Sequence, residues 1–170
     1  MIKLLLVIVP TIFIAACGGS DSGKPDPRIS EVKEEIKAAK QLWQDNGLID
    51  YMFNFSARID RACPSDGPIA DEIPTRMVTV EDNAVTSVTS ALTGEPMIIP
   101  TFEYFGTIDD IFNYLEGELA KEPQVIARSF SAQNELPMFD ESLGYPIQFY
   151  LEFNNSNGCS STQITLSEFR

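Results

Sequence analysis

Residues 51–60 read YMFNFSARID, and their side chains alternate between a more apolar and a more polar set. Successive side chains of a β-strand point to opposite faces of the sheet, so a period of two predicts a strand with one buried face. The predicted buried side chains are Tyr51, Phe53, Phe55, Ala57 and Ile59. Residues 147–154 show the same alternation, and we predict that this strand is half-buried and lies in the middle of the sheet.

Two other stretches carry apolar side chains at helical spacing. In the first, Ser30 can cap the helix start and Asn46-Gly47 can end the helix. In the second, Thr107 and Asp110 form a capping box, and the helix ends before Pro123. The two apolar stripes are Val32, Ile36, Ala39 and Trp43, and Ile108, Ile111, Phe112, Leu115 and Leu119. We interpret Trp43 as a core residue; the alternative is a ligand platform.

The remaining strands complete a regular order of elements. They are predicted at residues 76–81, 85–92, 125–130 and 162–169, with a two-residue turn at Asp82-Asn83 that needs positive φ. The order is helix, three strands, helix, three strands. Short connections favour an antiparallel sheet over a doubly wound parallel one. The predicted fold class is α+β, a single domain over residues 30–170 with an antiparallel sheet of about six strands and both helices packed on one face.

The N-terminus predicts export. A cationic start at Lys3 precedes an apolar run over residues 4–14, the layout of a signal peptide, which we assign to residues 1–16. The competing interpretation is a membrane span. The run is shorter than the roughly 20 apolar residues that a bilayer requires, and it contains Pro10.

Residues 14–17, Ile-Ala-Ala-Cys, resemble the bacterial lipoprotein box, with Ile in place of the commoner Leu. The resemblance implies a lipid such as palmitate on Cys17, cleavage before it, and a membrane-anchored protein of the periplasm or cell surface. Gly18, rather than Asp, follows the cysteine, which implies the outer membrane where the source has two membranes. The alternative is a buried free cysteine. Residues 17–29 lack an apolar period and predict a flexible tether.

Acidic side chains dominate the chain. Without the signal peptide it has 11 basic and 25 acidic residues, a net charge of −14. This charge repels nucleic acid and anionic headgroups, so no nucleic-acid partner is expected. A partner selected by charge would be an envelope protein with a basic surface or a divalent cation. The alternative is an acidic surface that only keeps the protein soluble.

Several short motifs together resemble a family of secreted bacterial domains of unknown function, the one numbered 6174. They are Tyr51-x-Phe-x-Phe leading to Cys63, Val78-Thr79-Val80, Thr93-Gly94-Glu95-Pro96, Thr107-Ile-Asp-Asp-Ile-Phe112, and Phe139-Asp140-x-x-Leu143-Gly144-Tyr145-Pro146. Residues 131–138 look like an insertion relative to that pattern, and Phe139 stands where the family usually has Tyr. The resemblance supports the architecture and implies no mechanism.

The last of these motifs is the candidate functional loop, with Asp140, Gly144, Tyr145 and Pro146 as its marked residues. As a turn, Asp140 bonds backbone amides, Gly144 takes positive φ and Pro146 fixes the entry to the following strand. The alternative is a loop that presents Tyr145 and two carboxylates to a ligand.

The residue inventory argues against an enzyme. The chain has no His, which excludes Ser-His, Cys-His and histidine metal sites, and we expect no metal, cofactor or catalytic residue. The predicted function is a binding or assembly module of the cell envelope with unknown biochemical activity. The alternative is a histidine-free, carboxylate-dependent hydrolase of envelope material.

Two cysteines remain once Cys17 is lipidated. An exported domain with one pair usually joins it, so we predict a disulfide between Cys63 and Cys159. The alternative is two unpaired thiols.

Overall fold

A computed structural model of the chain describes residues 23–60, 70–97, 106–155 and 158–170. The predicted signal peptide, Cys17 and Cys63 lie outside these residues. The elements are α1 (Ile29–Asn46), β1 (Tyr51–Asp60), β2 (Ala70–Glu81), β3 (Ala84–Ser90), α2 (Ile108–Leu119), β4 (Val125–Ala127), β5 (Met138–Phe139), β6 (Pro146–Asn155) and β7 (Gly158–Ser167).

The strands form one antiparallel sheet in the order β3-β2-β1-β7-β6-β4, with β5 paired to β6 outside this path. The predicted α+β class is confirmed, and β6 lies within the sheet as predicted. The described residues form seven strands in place of the predicted six or so, and the last group contains four. The additional strand is β5, whose two residues are too few to show an alternation.

One face of the sheet and both helices share a single core. In β1 the predicted alternation is confirmed from Tyr51 to Ala57, because Tyr51, Phe53, Phe55 and Ala57 are all buried. At the end of the strand it is wrong, because Ile59 is only partly buried and Asp60 is buried. Phe53 lies opposite Val78 of β2, and Phe55 lies opposite Leu166 of β7, so their rings share one face. Burying each of these phenylalanine side chains stabilises the fold by roughly 1.5–3 kcal/mol. The predicted stripes of α1 and α2, Trp43 included, pack into the same cluster.

The predicted end of α1 is confirmed and its predicted start is wrong. Gly47 has φ 62 at the C-terminal end, the left-handed conformation that suits glycine. The helix begins at Ile29, and Arg28 occupies the N-cap position without a side-chain capping bond, so Ser30 is not the cap. The Arg28 side chain is instead held by Asp26, with Nη2 2.8 Å from Oδ2.

Asp26 and Arg28 bind the edge strand β4. The Asp26 side chain is buried, and its Oδ2 accepts a hydrogen bond of 2.8 Å from the Ile126 amide. Arg28 donates to the Ile126 carbonyl, so the two side chains occupy the backbone groups on the free edge of β4. We call Asp26 and Arg28 the clasp. The prediction of a flexible tether over residues 17–29 is therefore wrong from Asp26 onward, because a local composition rich in Pro and Asp does not reveal a distant binding partner.

Other local predictions are confirmed at the turns and caps. Asp82 and Asn83 have φ 50 and 60, as the two-residue turn requires. Thr107 and Asp110 form the capping box of α2. The strand predicted over residues 125–130 ends at Ala127, because the chain then folds back and the Arg128 amide donates to the Glu135 carbonyl.

Candidate functional site

The Asp140 loop is a turn built by its own backbone. Asp140 Oδ1 accepts hydrogen bonds from the amides of Ser142 and Leu143, at 2.9 and 2.8 Å, and from the Ser142 hydroxyl at 2.7 Å. Burial pushes the Asp140 pKa upward, but these hydrogen bonds outweigh it and lower the pKa below its ordinary value. The carboxylate is thus ionised, and its Oδ1 is held within the turn.

Gly144 brings this loop against α1. Its φ is 87, and a Cβ placed on it would lie 2.3 Å from the Ala39 carbonyl oxygen and 2.8 Å from the Trp43 amide nitrogen. Only a glycine fits so close to a helix backbone at this φ. Asn46 also donates from Nδ2 to the Ser142 carbonyl at 3.3 Å. The loop is therefore a packing element of α1.

Tyr145 and Pro146 complete this packing. The Tyr145 ring stacks on Phe169, with centroids 4.4 Å apart and planes at 14°, and Phe169 in turn contacts Trp43 and Tyr51. Pro146 begins β6 opposite Phe139. All four marked residues have structural roles, which matches the turn interpretation. A ligand surface therefore lies outside the Asp140 loop.

The face of the sheet opposite the helices is the strongest candidate, and we call it the open face. Cross-strand pairs such as Ser56 with Thr165 and Asn54 with Met77 place its side chains together. Its residues are Met52, Asn54, Ser56, Arg58, Met77, Thr79, Ser87, Thr89, Gln148, Gln163, Thr165 and Ser167, and each is partly or fully exposed. Asp60 and Glu152 lie on the same face, because both stand opposite Ser161; Asp60 is buried and Glu152 is partly exposed. Arg170 joins this face, with Nη2 3.8 Å from Met77 Sδ.

A cleft of about 590 Å³ opens on this face between β1, β2 and β7. It forms where Pro74 and Thr75 of β2 stand against the single residue Ser56, because the register shifts between Phe55 and Ala57. Such a bulge bends its strand away from the neighbour, and proline lacks the amide that a regular ladder would need there. The lining consists of Ser56, Ala57, Arg58, Ile73, Pro74, Thr75, Gln163 and Thr165. Its volume lies within the range of small-molecule sites.

Arg58 and Gln163 are the two polar side chains that the surroundings orient. Arg58 Nε lies 3.1 Å from Oδ2 of the buried Asp60, and its guanidinium carbon lies 6.0 Å from the centroid of the Phe130 ring. The Phe130 amide donates to Gln163 Oε1 at 2.9 Å, which fixes the orientation of the Gln163 amide group. Among the described residues, no acceptor pairs with Gln163 Nε2, so this donor is available to a ligand.

Tyr150 stands opposite Gln163 on the neighbouring strand β6, and it does not act as a nucleophile. Its side chain is buried and its hydroxyl donates to Glu152 Oε2 at 2.7 Å. Burial raises the Tyr150 pKa far above its ordinary value, and the carboxylates of Glu152 and Asp60 add to the rise. The phenol therefore stays neutral and holds Glu152 in place. Chemically, the arrangement can orient and bind polar groups.

Metal and disulfide predictions are only partly covered by the described residues. Within residues 23–60, 70–97, 106–155 and 158–170, no group of three or more His, Cys, Asp or Glu side chains could hold a metal ion.

Cys159 is disulfide-bonded, and its predicted partner Cys63 lies outside the described residues. Asp60 pairs with Ser161 across β1 and β7. Cys63 follows Asp60 by three residues, a reach of about 10 Å, which permits the predicted pairing.

Sequence reasoning missed the cleft. The alternation of β1 places Ser56 and Arg58 on the polar side, but no local pattern links them to Gln163, Pro74 or Phe130. Only the register of β1 with β2 and β7 brings these residues together.

Comparison with known proteins agrees with the resemblance drawn from the motifs. The model of a family of unknown function, DUF6174, matches residues 35–157. No curated protein and no solved structure matches the chain. The match extends from α1 through the Asp140 loop and β6, whereas Gln163 and Thr165 of the cleft lie beyond it. Since the match covers more than half of the chain, the protein belongs to DUF6174, a family of unknown function.

Proposed function

We propose that the protein is a lipid-anchored binding or assembly module of the cell envelope that uses its open face as the binding surface. The observation that carries this proposal is an exposed sheet face on which uncharged side chains predominate in a chain whose net charge is −13, and on which Asp60 and Glu152 are both paired with other side chains. Acidic side chains keep surfaces soluble and weaken contacts, and the centres of binding surfaces are depleted in charge. A face of hydroxyl, amide and methionine side chains suits a partner.

The anchor in this proposal is Cys17, as the lipoprotein box implies. Cys17 precedes the clasp residue Asp26 by nine residues, which span at most about 30 Å when extended. The described part of the chain has no helix of the length and hydrophobicity that crossing a membrane requires. Gly18 supports the outer membrane as the address where two membranes exist.

The charge pattern divides the possible partners between two surfaces. Exposed acids lie on the helices, for example Glu31 and Glu34 of α1 and Glu116 of α2. An envelope protein with a basic surface, the alternative partner, would therefore bind the helix side. The open face, on which Arg58 pairs with Asp60 and most other side chains are uncharged, suits a neutral partner.

The hydrolase alternative has weaker support. Two acids on the same face as the cleft are Asp60 and Glu152. Asp60 is buried and paired with Arg58, and Glu152 accepts the Tyr150 hydroxyl, so both carboxylates have fixed partners. A glycosidase needs two carboxylates that flank the scissile bond.

Two measurements test the proposal. Cys17→Ser should release the protein from membranes or leave an uncut precursor, and mature, detergent-requiring protein would contradict the anchor. For the surface, a photocrosslinking residue at Thr79 of the open face should capture an envelope component, whereas one at the exposed Lys37 of α1 should not. Crosslinks from Lys37 alone would contradict the assignment of the open face.

A further inference from the structure

We infer that the cleft at the β2 bulge binds an uncharged saccharide. This inference rests on the proposed function and specifies the ligand class of its binding surface. The site is formed by Ser56, Thr75 and Thr165 as hydroxyl groups, Gln163 as an amide, and Ile73 with Pro74 as an apolar wall.

The charge of the cleft favours a neutral ligand. Among the described side chains that line it, Arg58 is the one ionised group. Asp60, two residues further along β1 and buried, pairs with Arg58 at 3.1 Å. An anionic ligand would gain little from a cation that is already paired, and the net charge of the chain would repel it at long range. A cationic ligand would find no carboxylate among these described side chains.

The hydrogen-bonding groups of the lining match those of a sugar. A sugar hydroxyl both donates and accepts, and the lining offers groups of both kinds. Gln163 Nε2 is a donor without a partner among the described residues, and it is held by the bond of 2.9 Å between its Oε1 and the Phe130 amide. Thr165 Oγ1 accepts a long bond of 3.4 Å from Gln148, so its own proton remains available.

The apolar part of the site matches the C–H faces of a sugar ring. Ile73 and Pro74 form one wall, and the partly exposed Phe130 ring lies next to Arg58. The C–H faces of a pyranose pack against such surfaces while its hydroxyls reach the polar side. The bulge of β2 makes the cleft, so the site depends on Pro74 and Thr75 being present as a pair.

The decisive comparison uses two isosteric variants on one face. Gln163→Glu keeps the oxygen that accepts the Phe130 amide, removes the Nε2 donor and adds a negative charge. Asn54→Asp makes the same chemical change, from an amide to a carboxylate, on the open face but outside the cleft lining. Circular dichroism and thermal unfolding of both variants would establish that they fold.

The probes are a printed array of neutral and uronic-acid glycans, followed by calorimetric titration with maltotetraose, chitotetraose and tetragalacturonate. The full chain is used in a detergent without a sugar headgroup. We expect neutral glycans to bind, with affinity reduced about tenfold or more by Gln163→Glu and within about twofold of the parent in Asn54→Asp. Equal losses in both variants, preferential binding of the uronic acids, or binding of no neutral glycan would overturn the inference.

The same experiments separate this inference from the proposed function. If Thr79 on the open face still captures an envelope component while no neutral glycan binds, the binding module stands and the saccharide assignment fails. If neither occurs, both fail.

Discussion

Gly144→Ala tests the contact between the Asp140 loop and α1. At φ 87, an alanine Cβ would lie 2.3 Å from the Ala39 carbonyl oxygen and 2.8 Å from the Trp43 amide nitrogen. The left-handed backbone costs about 1–2 kcal/mol for a residue with a Cβ. Forcing the loop away from α1 adds about 1–3 kcal/mol of overpacking. The expected loss is therefore about 2–5 kcal/mol, a large part of the roughly 5–15 kcal/mol by which a domain is stable.

The assay is urea unfolding, monitored by the fluorescence of Trp43. Trp43 is the single tryptophan of the chain and is buried in the core. Gly94→Ala is the matched control. Gly94 also has positive φ, at 71, but nothing lies within 4 Å of the Cβ position, so its loss should be only the left-handed cost of about 1–2 kcal/mol. If both variants lost the same stability, the contact between Gly144 and α1 would not carry the energy assigned to it.

Three further predictions follow from single groups. Gly117→Ala should raise the stability by about 1 kcal/mol and hence raise Tm, because Gly117 lies inside α2 with open space at its Cβ position; a lower Tm would contradict this. Burial pushes the Asp26 pKa upward, but its bonds to Arg28 and Ile126 outweigh that effect and lower the pKa below 3.8. The clasp should therefore stabilise fully above pH 3.8 and weaken as pH falls through the lower folded value, and acid unfolding of Asp26→Asn should lack this component. Peptide mapping without reduction should recover Cys63 joined to Cys159, with up to about 4.7 kcal/mol lost on reduction, and alkylatable thiols at both positions would refute the pairing.

Local patterns predicted the elements that carry their signal within a few residues. The alternation of β1, the capping box of Thr107 and Asp110, and the turn at Asp82-Asn83 each depend on neighbours in the chain, and each is present. The resemblance to DUF6174 likewise rests on several short contiguous motifs, and the turn at Asp140 is one of them.

Features that depend on distant residues were not predicted from the sequence. Asp26 and Arg28 look like tether residues until Ile126, 100 residues beyond Asp26, supplies the backbone groups that bind them. The short β5 exists only because β6 offers an edge. The cleft requires a bulge in β2 and a side chain from β7, and composition suggested an acidic binding surface, whereas most side chains of the open face are uncharged.

The position of β1 has a consequence for how the chain reaches its folded state. One side of β1 pairs with β2, its neighbour in sequence, and the other side pairs with β7. Ser56 and the Thr165 carbonyl, in contact across that second boundary, are 109 residues apart. Closing so long a loop is slow, because its entropic cost precedes the contacts that compensate it. An emerging polypeptide therefore cannot finish its central layer until the last strand is available, and transport in an unfolded form would leave nearly all folding to the destination compartment.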